Sequence, residues 1–338
     1  MKYNRLGNSG LLVSELSLGT MIFGEGKTRS TSPEDAERII HRYLDAGGNH
    51  IDTADVYADG RSEEIVGKAI GHKRTQVTIA TKVRFRRGDG PNDEGLSRHH
   101  ILTEVHNSLR RLNTDYIDLY YMHSWDPLTP LEESLRTFED LVQAGKVRYI
   151  GVSNFKAWQL MKALSLSDAK GWVRFVAAQY QYSLIKRDIE YEFSDLLLSE
   201  GVGLMPWGAL GGGFLSGKYT RDQRPTDANL GRIATSPENE EETWARRNTE
   251  RNWNILDAVG RIAEKYHVTY SQVALAWMLH KPYLSSIIIG VRTMEQLEDN
   301  LGAIEVPLTE EDIQTLDAVS TLPELYPYRF IADYASRS

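Results

Sequence analysis

The chain contains no cysteine among its 338 residues, which removes structural disulfides, thiolate nucleophiles, cysteine-ligated zinc and iron–sulfur clusters together. Long apolar runs are also missing. No uninterrupted stretch approaches the roughly 20 residues of a membrane span, and the opening Met1-Lys2-Tyr3-Asn4-Arg5-Leu6-Gly7 has no apolar region of the kind a secretion signal needs. A cytoplasmic, unprocessed protein is the expectation. Basic side chains, 39 against 47 acidic ones, leave a net charge of -8, so nothing global draws the chain to phosphate backbones or anionic lipid. Neither nucleic acid nor a membrane is an expected partner. There is no Gly-x-Gly-x-x-Gly for a dinucleotide-binding βαβ unit, no Gly-x-x-x-x-Gly-Lys-Ser/Thr and no His-Glu-x-x-His. The string Gly151-Val152-Ser153-Asn154-Phe155 misses the hydrolase nucleophile elbow because residue 155 is not glycine.

What is present suits a soluble globular chain with a sizeable core: 41% of the residues are apolar and 25% charged. Residues 3–14 place Asn8-Ser9-Gly10 between two short alternating runs, a hairpin pattern. Strand-type apolar runs then recur at Leu16–Gly19, His50–Thr53, Val77–Thr81, Tyr116–Met122, Tyr149–Val152, Phe175–Gln179, Gly203–Trp207 and Ser286–Ile289. Helical patterns separate them. One opens at Ser32-Pro33-Glu34-Asp35 and ends at Gly47, and another from Ile101 puts Val105, Leu109 and Leu112 on the same face. Others cover 131–144, 156–167, 190–200, 252–266 and 293–302. Strands apolar on both faces and alternating with helices call for a parallel sheet covered by helices. Eight such units close most simply into an α/β (β/α)8 TIM barrel, with an open doubly wound sheet as the rival.

Two features break this rhythm. From Gly211 to about Asn248 a polar, Gly-rich stretch with the acidic run Glu238 to Glu242 follows the seventh strand, and loops of that length usually cover a site or lack order. Past Pro307, Thr309 with Asp312 three residues later begins an additional C-terminal helix, and a tail rich in Tyr and Pro closes the chain. No linker marks a second domain, so residues 1–338 are expected to form one.

In parallel α/β folds ligands bind at the carboxyl ends of the strands. Asp52 ends the second run with Tyr57 five residues on, Lys82 follows the third, and His123 ends the fourth. Each alone has a plain structural reading: a cap for Asp52, an amphipathic rim for Tyr57, a solvent-seeking lysine, a satisfied core histidine. A purely structural role gives no reason for titratable groups at the mouths of three successive strands. Together they suit proton transfer to a carbonyl oxygen. Tyr57 would be the acid, Lys82 would lower its pKa from about 10, Asp52 would keep Lys82 charged, and His123 would donate to the carbonyl oxygen and orient it. Such a site needs a hydride donor from outside.

The remaining strand ends suit that donor. Ser153, Asn154 and Gln179 offer hydroxyl and amide groups for a carboxamide, and Trp207 a flat indole for a pyridine ring, although each alone also reads as a loop cap or core residue. After the eighth run, Gly290-Val291-Arg292-Thr293 opens a helix where barrels often bind phosphate, and Arg292 adds a fork for a phosphate monoester.

These residues carry a resemblance. Ile51-Asp52-Thr53-Ala54-Asp55-Val56-Tyr57, the later Lys82 and His123, Gly151 to Phe155, Gly208-Ala209-Leu210 through Gly213-Phe214-Leu215-Ser216-Gly217-Lys218-Tyr219, and Gly290 to Thr293 with Gln296 and Asn300 resemble the aldo-keto reductases from about residue 3 to 305. The branch resembled includes potassium-channel β-subunits and bacterial sugar or aryl-alcohol reductases. The resemblance implies a barrel that uses NADPH or NADH without a metal, with Asp52, Tyr57, Lys82 and His123 as catalytic tetrad. It further implies Thr20, Ser153, Asn154 and Gln179 near the nicotinamide and Trp207 stacked on it. Leu210, Gly213, Leu215, Gly217 and Lys218 would lie along the pyrophosphate, and Gly290, Arg292, Gln296, Asp299 and Asn300 at the adenosine end. This chain has Trp207 where Tyr is frequent in the family and Gly208-Ala209 where Ser-Pro is usual. The expected function is NADP-preferring, reversible reduction of an aldehyde or ketone, a small-molecule substrate, with the oligomeric state open. The rivals are a slow redox-sensing, cofactor-binding subunit and a Schiff-base aldolase using Lys82. His99, His100, His106 and Glu104 crowd one helix without metal-binding spacing and read as a solvated face.

Overall fold

The computed structural model describes residues 1–25, 29–227, 231–237 and 241–335. Its elements run β1 (Tyr3–Arg5), β2 (Leu12–Ser14), β3 (Leu16–Gly19), α1 (Pro33–Asp45), β4 (His50–Asp52), α2 (Arg61–Ile70), β5 (Thr78–Val83), α3 (Arg98–Arg111), β6 (Ile117–Met122), α4 (Leu131–Gln143), β7 (Val147–Ser153) and α5 (Ala157–Lys170). They continue as β8 (Phe175–Gln179), α6 (Phe193–Glu200), β9 (Gly203–Leu204), α7 (Arg232–Thr235), α8 (Trp244–Arg247), α9 (Glu250–Tyr266), α10 (Tyr270–Leu279), β10 (Ile287–Gly290), α11 (Met294–Leu301), α12 (Glu310–Val319) and α13 (Tyr328–Ala335). None of the described helices is long and apolar enough to cross a membrane.

Eight parallel strands lie in the order β10-β3-β4-β5-β6-β7-β8-β9. The two outer ones meet: the Leu204 amide donates to Tyr283 O at 2.9 Å, Leu204 O accepts from Ser285 N at 2.9 Å, and Ile288 N donates to Pro206 O at 3.0 Å. The sheet therefore closes into the (β/α)8 barrel, and the open-sheet alternative falls. Inside it, Ala80, Leu119, Tyr121, Ala177, Met205 and Ile288 form a buried plug that Leu6 and Val13 of the β1–β2 hairpin extend. The hairpin thus stoppers the amino end of the barrel, leaving the carboxyl rim for chemistry. Gly7 is needed there, because at φ 53° a Cβ would lie 2.5 Å from both Gly201 O and Val176 O.

The helices pack around the strands through a second, larger core. In α1, Ser32 accepts from the Asp35 amide and Pro33 occupies the first turn, while Ala36, Ile39, Ile40 and Tyr43 face inward. In α3, Ile101 and Val105 are buried, as is Leu112 just beyond it. Thr309 and Asp312 form the reciprocal cap of α12. The long excursion after β9 is not featureless: it holds α7 and α8, with the Trp244 ring 6.3 Å from those of Tyr219 and Trp253. Of its acidic run, Glu238 to Glu240 fall outside the described residues, and Glu242 is buried. The solvated-face reading of α3 also needs correction. His100 and Glu104 are buried, and Glu104 accepts from Asn107 at 2.8 Å and pairs with Arg111 at 3.5 Å.

Candidate active site

The barrel register brings the polar strand ends to one level. Asp52 closes β4 opposite Gly19 and Ala80, Lys82 of β5 pairs with Tyr121 of β6, and Ser153 of β7 pairs with Gln179 of β8. His123 follows β6 directly, its amide bound to Val83 O at 3.0 Å. Tyr57 is carried by a tight turn in which Ala58 (φ 46°), Asp59 (φ 57°) and Gly60 (φ 89°) are all left-handed. For the two residues with a Cβ this conformation is strained, and the turn holds the phenol over the rim.

Lys82 is the centre of the arrangement. Fully buried, its ammonium donates to Asp52 Oδ2 at 2.7 Å, to Thr53 O at 2.7 Å and to Tyr57 OH at 3.2 Å. The second oxygen of Asp52 accepts from Gln179 Nε2 at 2.8 Å. Burial works against the lysine charge, yet Asp52 and Tyr57 carry its pKa above the ordinary value. The expectation for Tyr57 is reversed in sign: burial raises its pKa, and Lys82 pulls the other way without winning. The phenol consequently stays protonated at neutral pH, as an acid must. Burial and then Lys82 hold His123 well below its usual range, so the imidazole is neutral. Its ring meets Tyr57 edge-on at 5.9 Å and Phe85 at 4.7 Å.

The side chains expected around a nicotinamide are close but already engaged. Asn154, itself left-handed at φ 55°, donates to His123 O and to Ser153 Oγ, each at 2.9 Å, and Ser153 Oγ donates to Gln179 O at 2.8 Å. Trp207 is half-buried, its amide bound to Tyr180 O at 2.9 Å. Thr20 is fully buried, its hydroxyl bound to Asp52 O at 3.0 Å and Ser62 Oγ at 2.7 Å. At the far end, Gln296 accepts from the Arg292 amide at 2.8 Å, Asp299 accepts from Thr269 Oγ1 at 2.8 Å, and Asn300 is buried. The run from Leu210 to Lys218 turns through left-handed Gly211, Gly212, Gly213 and Gly217, with Leu215 buried beneath it.

Some neighbours carry no periodic signal in the sequence. Glu242 reaches back over the glycine run and pairs with Arg232 at 3.2 Å and Arg247 at 3.6 Å. Arg29, from the β3–α1 loop, shares this electrostatic neighbourhood. Beside the turn, Asp55 is fully buried, and neither carboxyl oxygen has a hydrogen-bond partner. Burial, then Glu63 and Glu104, push its pKa well above the usual carboxylate range, with Arg87 opposing. Among the described residues no cluster of His, Asp and Glu could hold a metal ion.

Comparison with known proteins agrees with this geometry. The aldo/keto reductase family model matches residues 15–321. A probable voltage-gated potassium channel subunit beta of Oryza sativa is 36% identical over 326 residues, covering 94% of this chain and 96% of that protein. The versiconal hemiacetal acetate reductase of Aspergillus parasiticus is 34% identical over 97% of this chain and 99% of its own length. A putative aryl-alcohol dehydrogenase of Schizosaccharomyces pombe is 36% identical over 93% and 94%. With a barrel whose rim joins a buried lysine to an aspartate and a tyrosine, this chain belongs to the aldo/keto reductase family.

Proposed function

We propose that this chain, working as a single barrel domain, reduces an aldehyde or ketone to an alcohol with NADPH, reversibly and without a metal. The observation that carries the reading is the charged Lys82, tied at once to Asp52 and to the Tyr57 hydroxyl. The left-handed glycine run offers close backbone approach to a pyrophosphate, and the cations Lys218 and Arg292 have no carboxylate partner among the described residues, a donor set that fits a phosphorylated dinucleotide. Ser153, Asn154, Gln179 and Trp207 would hold the nicotinamide, the last by stacking. Bound there, the dinucleotide supplies hydride to the carbonyl carbon.

Every other step belongs to the protein. Tyr57 gives its proton to the carbonyl oxygen as negative charge develops on it, and the Lys82 ammonium stabilises the phenolate left behind. Asp52, steadied by Gln179, keeps Lys82 charged and aimed. The neutral His123 ring donates an N–H to the same carbonyl oxygen and fixes its direction. In the reverse reaction the phenolate takes the alcohol proton. Lys82 as a Schiff-base nucleophile is disfavoured, since that chemistry needs a neutral amine and this one is buried against a carboxylate. Met21 after β3, Phe85 after β5 and Trp125 after β6 supply apolar surface around the rim, which supports an apolar, ring-bearing carbonyl.

A panel of aryl, alkyl and sugar carbonyls, followed by loss of reduced-cofactor absorbance with NADPH and NADH in parallel, tests the reading. Turnover fastest with NADPH and an aryl aldehyde supports it. NADPH binding without turnover across the panel would favour the redox-sensing subunit instead.

A further inference from the structure

Tyr57 stands on a strained turn, and such a turn persists only where its flanks are held. On one side the chain comes from β4, where Thr53 O accepts from Lys82 at 2.7 Å. On the other, α2 begins at Arg61, directly after the left-handed Ala58, Asp59 and Gly60. The second and third residues of that helix, Ser62 and Glu63, are fully buried. Ser62 Oγ donates to Thr20 O at 2.9 Å and is bound to Thr20 Oγ1 at 2.7 Å and to Thr53 Oγ1 at 2.8 Å. Glu63 Oε1 accepts from Thr81 Oγ1 at 2.6 Å, and its other oxygen accepts from Arg111 Nε of α3 at 2.6 Å. Two adjacent side chains thus tie the start of α2 to the carboxyl ends of β3, β4 and β5.

Consecutive side chains of a strand face opposite ways. Thr81 therefore meets Glu63 on the helix side of β5, while its neighbour Lys82 meets Asp52 inside the barrel. One strand end carries both the ammonium and the anchor of the helix that follows the phenol, so the bond from Thr81 to Glu63 sets how far apart Lys82 and Tyr57 lie. Arg111 adds a support from beneath: a Cβ on Gly60 would lie 2.8 Å from Arg111 Cδ, so the turn rests on the side chain that Glu63 holds. Glu104, 3.5 Å from Arg111, and the unpartnered Asp55 are the other carboxylates in this enclosure. We propose that Glu63, backed by Ser62, is a positioning residue that keeps the Tyr57 turn in register with the Lys82 strand. The inference rests on the proposed reductase function and extends it to buried side chains outside the tetrad.

The test is Thr81→Val, which removes the donor to Glu63 and keeps the pair of Glu63 with Arg111, beside Thr81→Ser, which restores the hydroxyl. Thr78→Val is the control: it makes the same exchange at the amino end of the same strand, where Thr78 Oγ1 is bound to His50 Nδ1 at 2.8 Å. Each full-length protein is measured for Tm, for its NADPH dissociation constant by tryptophan fluorescence, and for its single-turnover rate when loaded with NADPH and mixed with the best carbonyl of the parent. Amide exchange over residues 54–66 of the cofactor-free protein is followed by mass spectrometry. Misplacement of the phenol should slow Thr81→Val by about 10- to 100-fold, with NADPH affinity within about 3-fold and faster exchange over that segment. Thr81→Ser should return to within about 3-fold of the parent rate, and Thr78→Val should lower Tm without slowing turnover by more than about 3-fold. Ser62→Ala, which cuts the ties to Thr20 and Thr53, should act in the same direction as Thr81→Val and replaces it if that variant does not fold. A Thr81→Val rate within about 3-fold of the parent overturns the assignment, as does an equal loss in Thr78→Val or no recovery in Thr81→Ser. If the parent binds NADPH and reduces no carbonyl, the proposed function fails, and exchange alone decides the clamp: faster exchange in Thr81→Val and not in Thr78→Val upholds it, and unchanged exchange overturns it.

Discussion

Replacing Asp52 by Asn leaves the Lys82 ammonium with neutral oxygens alone, Thr53 O at 2.7 Å, Tyr57 OH at 3.2 Å and at most the new amide oxygen, and with no countercharge in a site from which solvent is excluded. Removing one partner of a buried ion pair typically costs about 3–5 kcal/mol because the remaining charge stays desolvated. Lys82→Met, which deletes the other charge, strands Asp52 with Gln179 as its remaining side-chain partner and should cost a similar amount. The double variant Asp52→Asn/Lys82→Met has no stranded charge. Its loss should fall short of the sum of the two single losses by about 2 kcal/mol or more, in the manner expected of groups in direct contact. Equilibrium urea unfolding of the four proteins at one pH yields the cycle. Additive losses would refute the view that Lys82 is charged and depends on Asp52, and with it the explanation of how the phenolate of Tyr57 is stabilised.

Asp55 is expected to weaken the fold as pH rises. A carboxyl whose folded pKa is raised keeps its proton in the native state after the unfolded chain has lost it, so stability falls between the ordinary value near 4 and the folded value, by about 1.4 kcal/mol per pH unit. Urea unfolding of Asp55→Asn at pH 5 and pH 7 should show its advantage over the parent growing with pH; parallel curves would contradict this. Ala58→Gly relieves a left-handed alanine at φ 46° and should stabilise by about 0.5–1 kcal/mol, read as a higher Tm, whereas a fall would mean that the turn is not strained. Arg292→Ala should raise KM for NADPH at least about 10-fold more than KM for NADH, and equal changes would remove Arg292 from the phosphate site.

The barrel is legible in the sequence because strands buried on both faces stand out as short apolar runs. Leu16–Gly19 and Phe175–Gln179 keep the bounds that the pattern suggests. Gly203–Trp207 shrinks to Gly203–Leu204, since beyond Leu204 the pairing is interrupted and resumes only as an isolated parallel bridge between Trp207 and Gln181. Helix α10 escapes a period-based reading because Val273, Ala274, Leu275, Ala276, Trp277 and Met278 are buried in succession and leave no polar stripe. Asp52, Lys82 and His123 are visible because strand ends are marked positions. Arg29 and Glu242 are not, because they belong to irregular segments whose path depends on which strands they cross. His100 and Glu104 mislead for a related reason: charge on a helix reads as solvent-facing until a neighbour such as Arg111 covers it. The pKa of Tyr57 is likewise beyond the sequence, because the balance between enclosure and the nearby ammonium depends on three-dimensional packing.

The most direct measurement is the single-turnover rate of Tyr57→Phe preloaded with NADPH and mixed with the best carbonyl substrate of the parent, beside its NADPH dissociation constant. Loss of the proton donor predicts a rate lower by about 100- to 10,000-fold with affinity for NADPH changed by less than about 3-fold. A rate within about 3-fold of the parent would contradict the assignment of Tyr57 as the acid.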